Sequence, residues 1–431
     1  MRSLRVDQFK LVALLFAGYA ALYFCRADLS VGEPLIVDQL RRHGLDHDQA
    51  VQRIGDIASL GVLAYALGKL FLTGLGDFWG GRISFLIGLA GATVFTLLFA
   101  LGRSTPLFAA AWLGNRLVQS IAWAGLIKVS SKWFDYSSYG SVIGILSISY
   151  LVGDALARQS MGALLEHGAG WQALFHYAAA VAGVCFVANG LLLRESRVAE
   201  GYAEARPNPL NLFAGTETRP RGVRALLLPL LRSRSFRIVC LLSLGCTIIR
   251  ETFNFWTPHY LHEYLGYPAS EAARMSSVFP GVGAVSVLAS GWLSDRLGAN
   301  GRSVILLAGL GATAAALLLL TSMRPGSAGP LPVVAIGIIA FCLLGPYSYL
   351  GGAFAVDFGG KQAAAASSGI IDGVGYMGAV AAGDSVARLS VHLGWRGVFV
   401  VLAAVSALAA LGAAYLCHLS SSAARQGRHL P

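Results

Sequence analysis

The chain holds 431 residues, 55% of them hydrophobic and only 13% charged, about half the charged fraction of a soluble domain. That apolar pool suits about twelve membrane-crossing helices of about 20 residues each and excludes a string of soluble globular domains. The formal net charge of +11 raises a nucleic-acid partner, a reading that the placement of the basic residues removes.

From the N-terminus, Met1 to Lys10 precede an apolar run in the manner of a signal peptide. Arg26 and Asp28 then arrive where a small-residue cleavage site would stand, so a retained first span is expected. Apolar segments fall near 9–38, 54–75, 83–102, 106–130, 139–161 and 172–193, and again near 236–262, 271–293, 303–323, 331–355, 362–387 and 396–418. The spacing predicts an all-α polytopic membrane protein of 12 transmembrane helices. It divides into a six-helix half over 1–193, a cytoplasmic linker over 194–235, a second six-helix half over 236–418 and a cytoplasmic tail over 419–431. Pro207, Pro209, Pro220 and clustered arginines mark the linker.

The halves repeat. Gly170-Trp171 and Phe175 recur as Gly394-Trp395 and Phe399, 224 positions on, and Arg26 recurs as Arg250 at the same offset. Parallel six-span repeats resemble the major facilitator architecture, whose halves are related by a pseudo-twofold axis. With both termini cytoplasmic, the inside segments carry 19 of the 33 basic residues, the outside segments 7, and the spans the other 7. This positive-inside bias sets the orientation and explains the basic pI through anionic lipid, so no nucleic acid is needed. The six cysteines lie in apolar runs without paired spacing and read as small buried hydrophobes; neither a disulfide nor a metal site is expected.

An ionisable group within a span costs about 2.5–3.5 kcal/mol on insertion scales, so each needs a reason. Only Ile238 to Ile249 separate Arg237 from Arg250, a rise of about 18 Å against a core of about 30 Å. Arg250 therefore falls inside the membrane, and so does Arg26 by the same reasoning. Snorkelling to an interface is the alternative for either arginine alone. Two planar guanidinium forks at repeat-equivalent positions instead suit a phosphate or carboxylate anion, and the expectation is that they face each other.

The residues around these arginines carry a specific likeness. Gly18-Tyr19-Ala20-Ala21-Leu22-Tyr23-Phe24-Cys25-Arg26, then Lys69 with Asp77, Gln119 with Trp123, Trp133, and Arg250 with Trp256, Pro258 and Tyr260 follow in register. So do Gly345-Pro346 and Gly375-Tyr376. Over nearly the whole chain this resembles the organophosphate:phosphate antiporters of the major facilitator superfamily. The resemblance implies exchange of a phosphorylated organic anion for inorganic phosphate by alternating access in the inner membrane, with a monomer sufficient and no cofactor. Arg26 and Arg250 would hold the phosphoryl group, Tyr19 and Tyr23 would line the cavity, and Lys69 would add positive potential. Three departures alter the surroundings that select the organic part. Tyr150 stands where one branch has a histidine, Pro280 replaces a glutamate, and Phe255 replaces an aspartate.

Glu251, Asp154, Asp372 and Asp384 are introduced instead. Glu251, adjacent to Arg250 and about 100° around the helix, is expected to be a poor partner for it. Asp154 with Arg158 and Asp384 with Arg388 are i, i+4 pairs that neutralise each other. Asp372 and Glu251 are candidate proton carriers for a symport alternative, and a sugar-phosphate sensor is a further alternative. The superfamily loop motif is intact at Gly291, Asp295, Arg296, Gly298 and Arg302 and degraded at Asp77, Gly81 and Arg82; these residues are expected to gate the inner side. No nucleotide-binding loop, nucleophile elbow or zinc helix occurs, so no enzyme is read.

Overall fold

The computed structural model describes residues 4–42, 44–72, 80–205, 230–297 and 301–425. Among these the chain is helical with short connections and no strand. This is the expected outcome for a run of apolar segments, since in lipid each backbone N–H and C=O must be satisfied within its own segment. Nine helices among the described residues are long and apolar enough to cross a membrane. Large apolar side chains such as Val184, Leu191, Met377, Leu408 and Leu411 stand exposed on them, as a lipid-facing surface requires. The protein is a multi-pass membrane protein.

Two compact units are formed: Met1–Asn208 with Thr257–Glu263 and Tyr267–Ser277, and Pro209–Trp256 with Tyr264–Gly266 and Val278–Pro431. In the first unit the long helix α1 (Leu4–Arg42) is interrupted at Cys25, whose φ of −79° and ψ of 18° leave the helical region. It is followed by α2 (His47–Phe71), α3 (Gly81–Ala100), α4 (Thr105–Gln119), α5 (Ala122–Trp133), α6 (Tyr136–Glu166) and α7 (Trp171–Leu192). The continuous fourth span expected over 106–130 is thus divided at Ser120 and Ile121 into α4 and α5. Close packing sets the positions of these helices. A Cβ on Gly153 of α6 would lie 2.4 Å from the Ala20 carbonyl oxygen of α1, so only glycine admits this approach. Phe99 and Phe175 stack with centroids 4.5 Å apart, tying α3 to α7.

The first residues beyond α7 dock on the same unit. Arg197 is buried, bonding Asp135 at 2.9 Å and the Ala203 carbonyl at 2.6 Å. Glu195 caps α3, accepting from the backbone N–H groups of Gly81 (3.0 Å) and Arg82 (2.7 Å), and bonds Lys132 at 2.6 Å. Burial pushes the Glu195 carboxyl up. The Lys132 hydrogen bond, the two amides and the lysine charge outweigh it and hold the group below its ordinary value.

The second unit contains α8 (Arg234–His259) up to Trp256, α10 (Val278–Leu297), α11 (Gly301–Leu320), α12 (Pro330–Tyr349) and α13 (Ala355–Arg425); α9 (Ala269–Ser276) belongs to the first. Short π-helical turns, Tyr260–Tyr264 and Leu350–Phe354, follow α8 and α12. The last two expected spans run together as α13. Its Gly394 has a φ of +65°, a left-handed break that glycine alone takes readily and that separates the two segments. Tyr349 Oη donates to the Ser290 carbonyl at 2.5 Å and Ser406 Oγ to the Leu310 carbonyl at 2.8 Å, joining α12 to α10 and α13 to α11. All six cysteines are free thiols.

Candidate functional site

In the first unit the break at Cys25 sits immediately before Arg26. The Cys25 carbonyl, released from regular helical geometry, accepts from Gln119 Nε2 at 3.3 Å. The same amide returns its oxygen to Arg26, whose Nε donates to Gln119 Oε1 at 2.7 Å. Gln119 is held in turn by Asn115, which donates to Thr96 Oγ1 at 2.8 Å. One buried amide therefore fixes both the kink and the guanidinium that follows it.

Aromatic rings complete the setting. The Arg26 guanidinium lies 4.5 Å from the ring centroids of both Tyr23 and Tyr65, and Arg26 Nη1 donates to Tyr23 Oη at 3.0 Å. Tyr65 also faces Arg116 at 4.9 Å and Lys69 at 5.4 Å, so one buried phenol ring gathers three cations. Tyr19 packs on Tyr23 (5.8 Å) and Trp123 (5.0 Å), and Tyr23 packs on Tyr150 (5.4 Å). The structure thus brings Arg26, Tyr19, Tyr23, Tyr150 and Lys69 into one cluster. Tyr65, Arg116 and Gln119 are members that the sequence reading had not placed in the site. Such a cluster of positive charge over π-faces suits a small anion.

In the second unit Arg250 projects from α8 over Tyr347, 4.8 Å from its centroid. Its Nη2 lies 2.5 Å from Glu251 Oε1, which corrects the expectation that neighbouring positions point too far apart to pair. The angle of about 100° separates the Cα–Cβ directions. A guanidinium and a carboxylate on long flexible stems close that gap at their tips. Thr247 Oγ1 donates to Tyr347 Oη at 3.4 Å. Asp372 stands against Gly351, where a Cβ would lie 2.5 Å from its Oδ1. Charges of Arg250, Asp372 and Glu251 all act on Tyr347, so the two candidate proton carriers share the arginine's surroundings.

The expected i, i+4 pairs form: Arg158 Nε lies 3.1 Å from Asp154 Oδ2, both buried, and Arg388 Nε 2.8 Å from Asp384 Oδ1. Of the gating residues, Asp77 lies outside the described residues, as does the side chain of Asp295. Arg82 Nη2 donates to the Gly190 carbonyl at 2.5 Å. Arg296 stacks on Trp292 at 4.0 Å, and Arg302 lies in the first turn of α11. Among the described residues no group of three or more His, Cys, Asp or Glu side chains is disposed to hold a metal ion.

The sequence profile of the Major Facilitator Superfamily matches residues 15–383. A probable hexose phosphate transport protein of Chlamydia trachomatis is 25% identical over 418 residues, covering 92% of this chain and 88% of its own length. Sugar phosphate exchanger 3 of Bos taurus is 25% identical over 397 residues, covering 82% and 77%. The membrane sensor protein UhpC of Escherichia coli is 27% identical over 410 residues, covering 92% and 89%. Among solved structures, a bacterial homologue of the human lysosomal transporter Spinster superposes with a TM-score of 0.75 over 96% of this chain and 97% of that one, at 16% identity. That last likeness speaks to fold alone. With a family match over most of its length and an all-helical, multi-span structure, the chain belongs to the Major Facilitator Superfamily, a family of membrane transporters rather than enzymes.

Proposed function

We propose that the protein is a secondary active transporter that exchanges a phosphorylated organic anion, of the sugar phosphate or glycerol phosphate type, for inorganic phosphate by alternating access. The observation that carries this reading is the fixed, half-buried guanidinium of Arg26, braced by Gln119 and set between the rings of Tyr23 and Tyr65. A guanidinium held in one orientation offers a planar fork suited to a phosphoryl group. Arg250 supplies the second fork from the other repeat. Tyr19, Tyr23, Tyr150 and Lys69 shape the cavity, Asp372 and Glu251 tune its charge, and Asp77, Arg82, Asp295, Arg296 and Arg302 gate the inner side.

In this reading the protein works as a monomer in the inner membrane with both termini cytoplasmic. Halves over 1–193 and 236–418 rock about the linker 194–235, ahead of a tail over 419–431. The likeness to a probable hexose phosphate transport protein of Chlamydia and to a bovine sugar phosphate exchanger supports a phosphorylated substrate. The test is counterflow of labelled phosphate in proteoliposomes, competed by a panel of sugar phosphates, glycerol phosphates and phosphonates. Exchange inhibited by one class of organic phosphate supports the proposal, and absence of phosphate exchange refutes it. The likeness to a membrane sensor favours a second reading, reception without flux; saturable ligand binding with no transport would select it.

A further inference from the structure

Besides Arg26, helix α1 carries two carboxylates with no exposure at all, Asp28 and Glu33. Asp28 is satisfied in part by the Leu29 amide at 2.7 Å and feels the charge of Arg116. Glu33 has a different partner. Its Oε2 lies 2.7 Å from Nδ1 of His259, their side chains are 1% and 4% exposed, and its Oε1 has no hydrogen-bond partner among the described residues. These two residues are 226 positions apart, and nothing in the anion cluster requires them.

The placement of the pair is unusual in a second, independent respect. Each member adjoins a proline within its own helix, Glu33 beside Pro34 in α1 and His259 beside Pro258 in α8. A helical proline deletes one backbone hydrogen bond and weakens the turn preceding it. His259 also leads directly into the π-helical turn Tyr260–Tyr264, a form enriched at functional sites. The buried pair therefore joins two helices beside a proline in each. It lies seven residues beyond Arg26 and nine beyond Arg250 in sequence, or about 10 and 14 Å along the two helix axes.

We propose that Glu33 and His259 form a proton-binding latch, unconnected with the anion cluster, which holds α1 to the end of α8 while it carries a proton and is released when the proton leaves. The proposal rests on the transport reading for its consequence but not for its existence. With Nδ1–H directed at Glu33, the proton in question is the one on Nε2. When it is present, an imidazolium faces a carboxylate and the buried pair has no net charge. When it departs to solvent, a single carboxylate remains in an apolar setting, and an uncompensated buried charge is far costlier than a pair. Histidine is the side chain whose ordinary titration falls in the physiological range. The groups facing the pair are the His47 ring on α2, stacked on His259 with centroids 6.5 Å apart, and Glu263 in the π-helical turn. Among the other charges on the elements packed around α1, Asp154 pairs with Arg158 on α6, Glu166 pairs with Arg274, and Lys69 and Arg116 lie over Tyr65.

Two measurements on the full-length protein test this, with Glu33→Gln and His259→Asn as variants. The first is phosphate self-exchange in proteoliposomes at equal inner and outer pH, across about pH 6 to 8. Phosphate's own ionisation is common to all samples, so the readout is the ratio of variant to wild-type rate. That ratio is expected to change about tenfold over the range, and a ratio independent of pH overturns the proposal. The second is thermal unfolding of the purified protein over the same range. The wild-type midpoint should fall relative to that of Glu33→Gln as pH rises, and parallel curves for these two proteins overturn the proposal. A wild-type protein that exchanges no phosphate defeats the transport reading, while the melting comparison still decides the latch.

Discussion

Replacing Gln119 by leucine tests whether Arg26 is held for its task. The substitution is nearly isosteric and touches no expected substrate atom. It removes the 2.7 Å bond from Arg26 Nε and the 3.3 Å bond to the Cys25 carbonyl, so both the guanidinium and the kink lose their brace. A hydrogen bond to a charged group contributes about 1.5–3 kcal/mol. If that contribution is what orients Arg26 toward its anion, phosphate binding should weaken by about 10- to 100-fold, since about 1.4 kcal/mol corresponds to tenfold. The assay is the half-saturation concentration of phosphate self-exchange in proteoliposomes, with thermal unfolding as the control for folding. Gln119→Glu should weaken binding further, because its carboxylate competes with the anion for the same guanidinium. An intact Gln119→Leu protein with wild-type phosphate affinity would refute the bracing of Arg26.

Tyr65→Phe keeps the ring that faces three cations but loses the hydroxyl's hydrogen bond with Arg26, and should weaken phosphate binding less than Tyr65→Leu. Tyr65→Leu should cost about 2 kcal/mol of desolvated cation–π attraction, read as a rise of about thirtyfold in half-saturation. Glu251→Gln removes the carboxylate bonded to Arg250 and should tighten phosphate by about tenfold, the worth of one charge-assisted bond, measured by equilibrium binding of labelled phosphate. Glu195→Ala removes the cap of α3 and should lower stability by about 1 kcal/mol at neutral pH in thermal unfolding. Because the folded state depresses the Glu195 carboxyl, its stabilisation is fully present above the unfolded value of about 4.3. The gap between wild type and variant should therefore close as pH falls through the folded value.

How far the site could be read from sequence depended on how local each relation is. Arg26 and Arg250 stand out because a guanidinium in an apolar run is expensive wherever the helix lies. Tyr19, Tyr23 and Arg26 share a helix face by spacing alone. The i, i+4 pairing of Asp154 with Arg158 is likewise a property of one helix, and it formed. Tyr65, Arg116 and Gln119 come from α2 and α4, and their meeting with Arg26 depends on the crossing of three helices, which no local pattern encodes. Arg116 is one of the seven basic residues within spans, and its approach to Tyr65 is set by tertiary packing. Glu33 and His259 are the extreme case, 226 positions apart and each unremarkable in its own segment. Glu251 reaches Arg250 because long, flexible side chains are not fixed spokes on a helical wheel. In the fold, the spans followed from hydropathy, whereas the division of the fourth between α4 and α5 and the docking of Glu195 and Arg197 on the first unit rest on individual side-chain contacts.

The most direct test of the central claim is phosphate self-exchange in proteoliposomes containing wild type, Arg26→Lys or Arg250→Lys protein. Lysine keeps the charge and loses the planar fork. Saturable exchange by wild type and its near abolition in both variants is the predicted result. Undiminished exchange in either variant would contradict it.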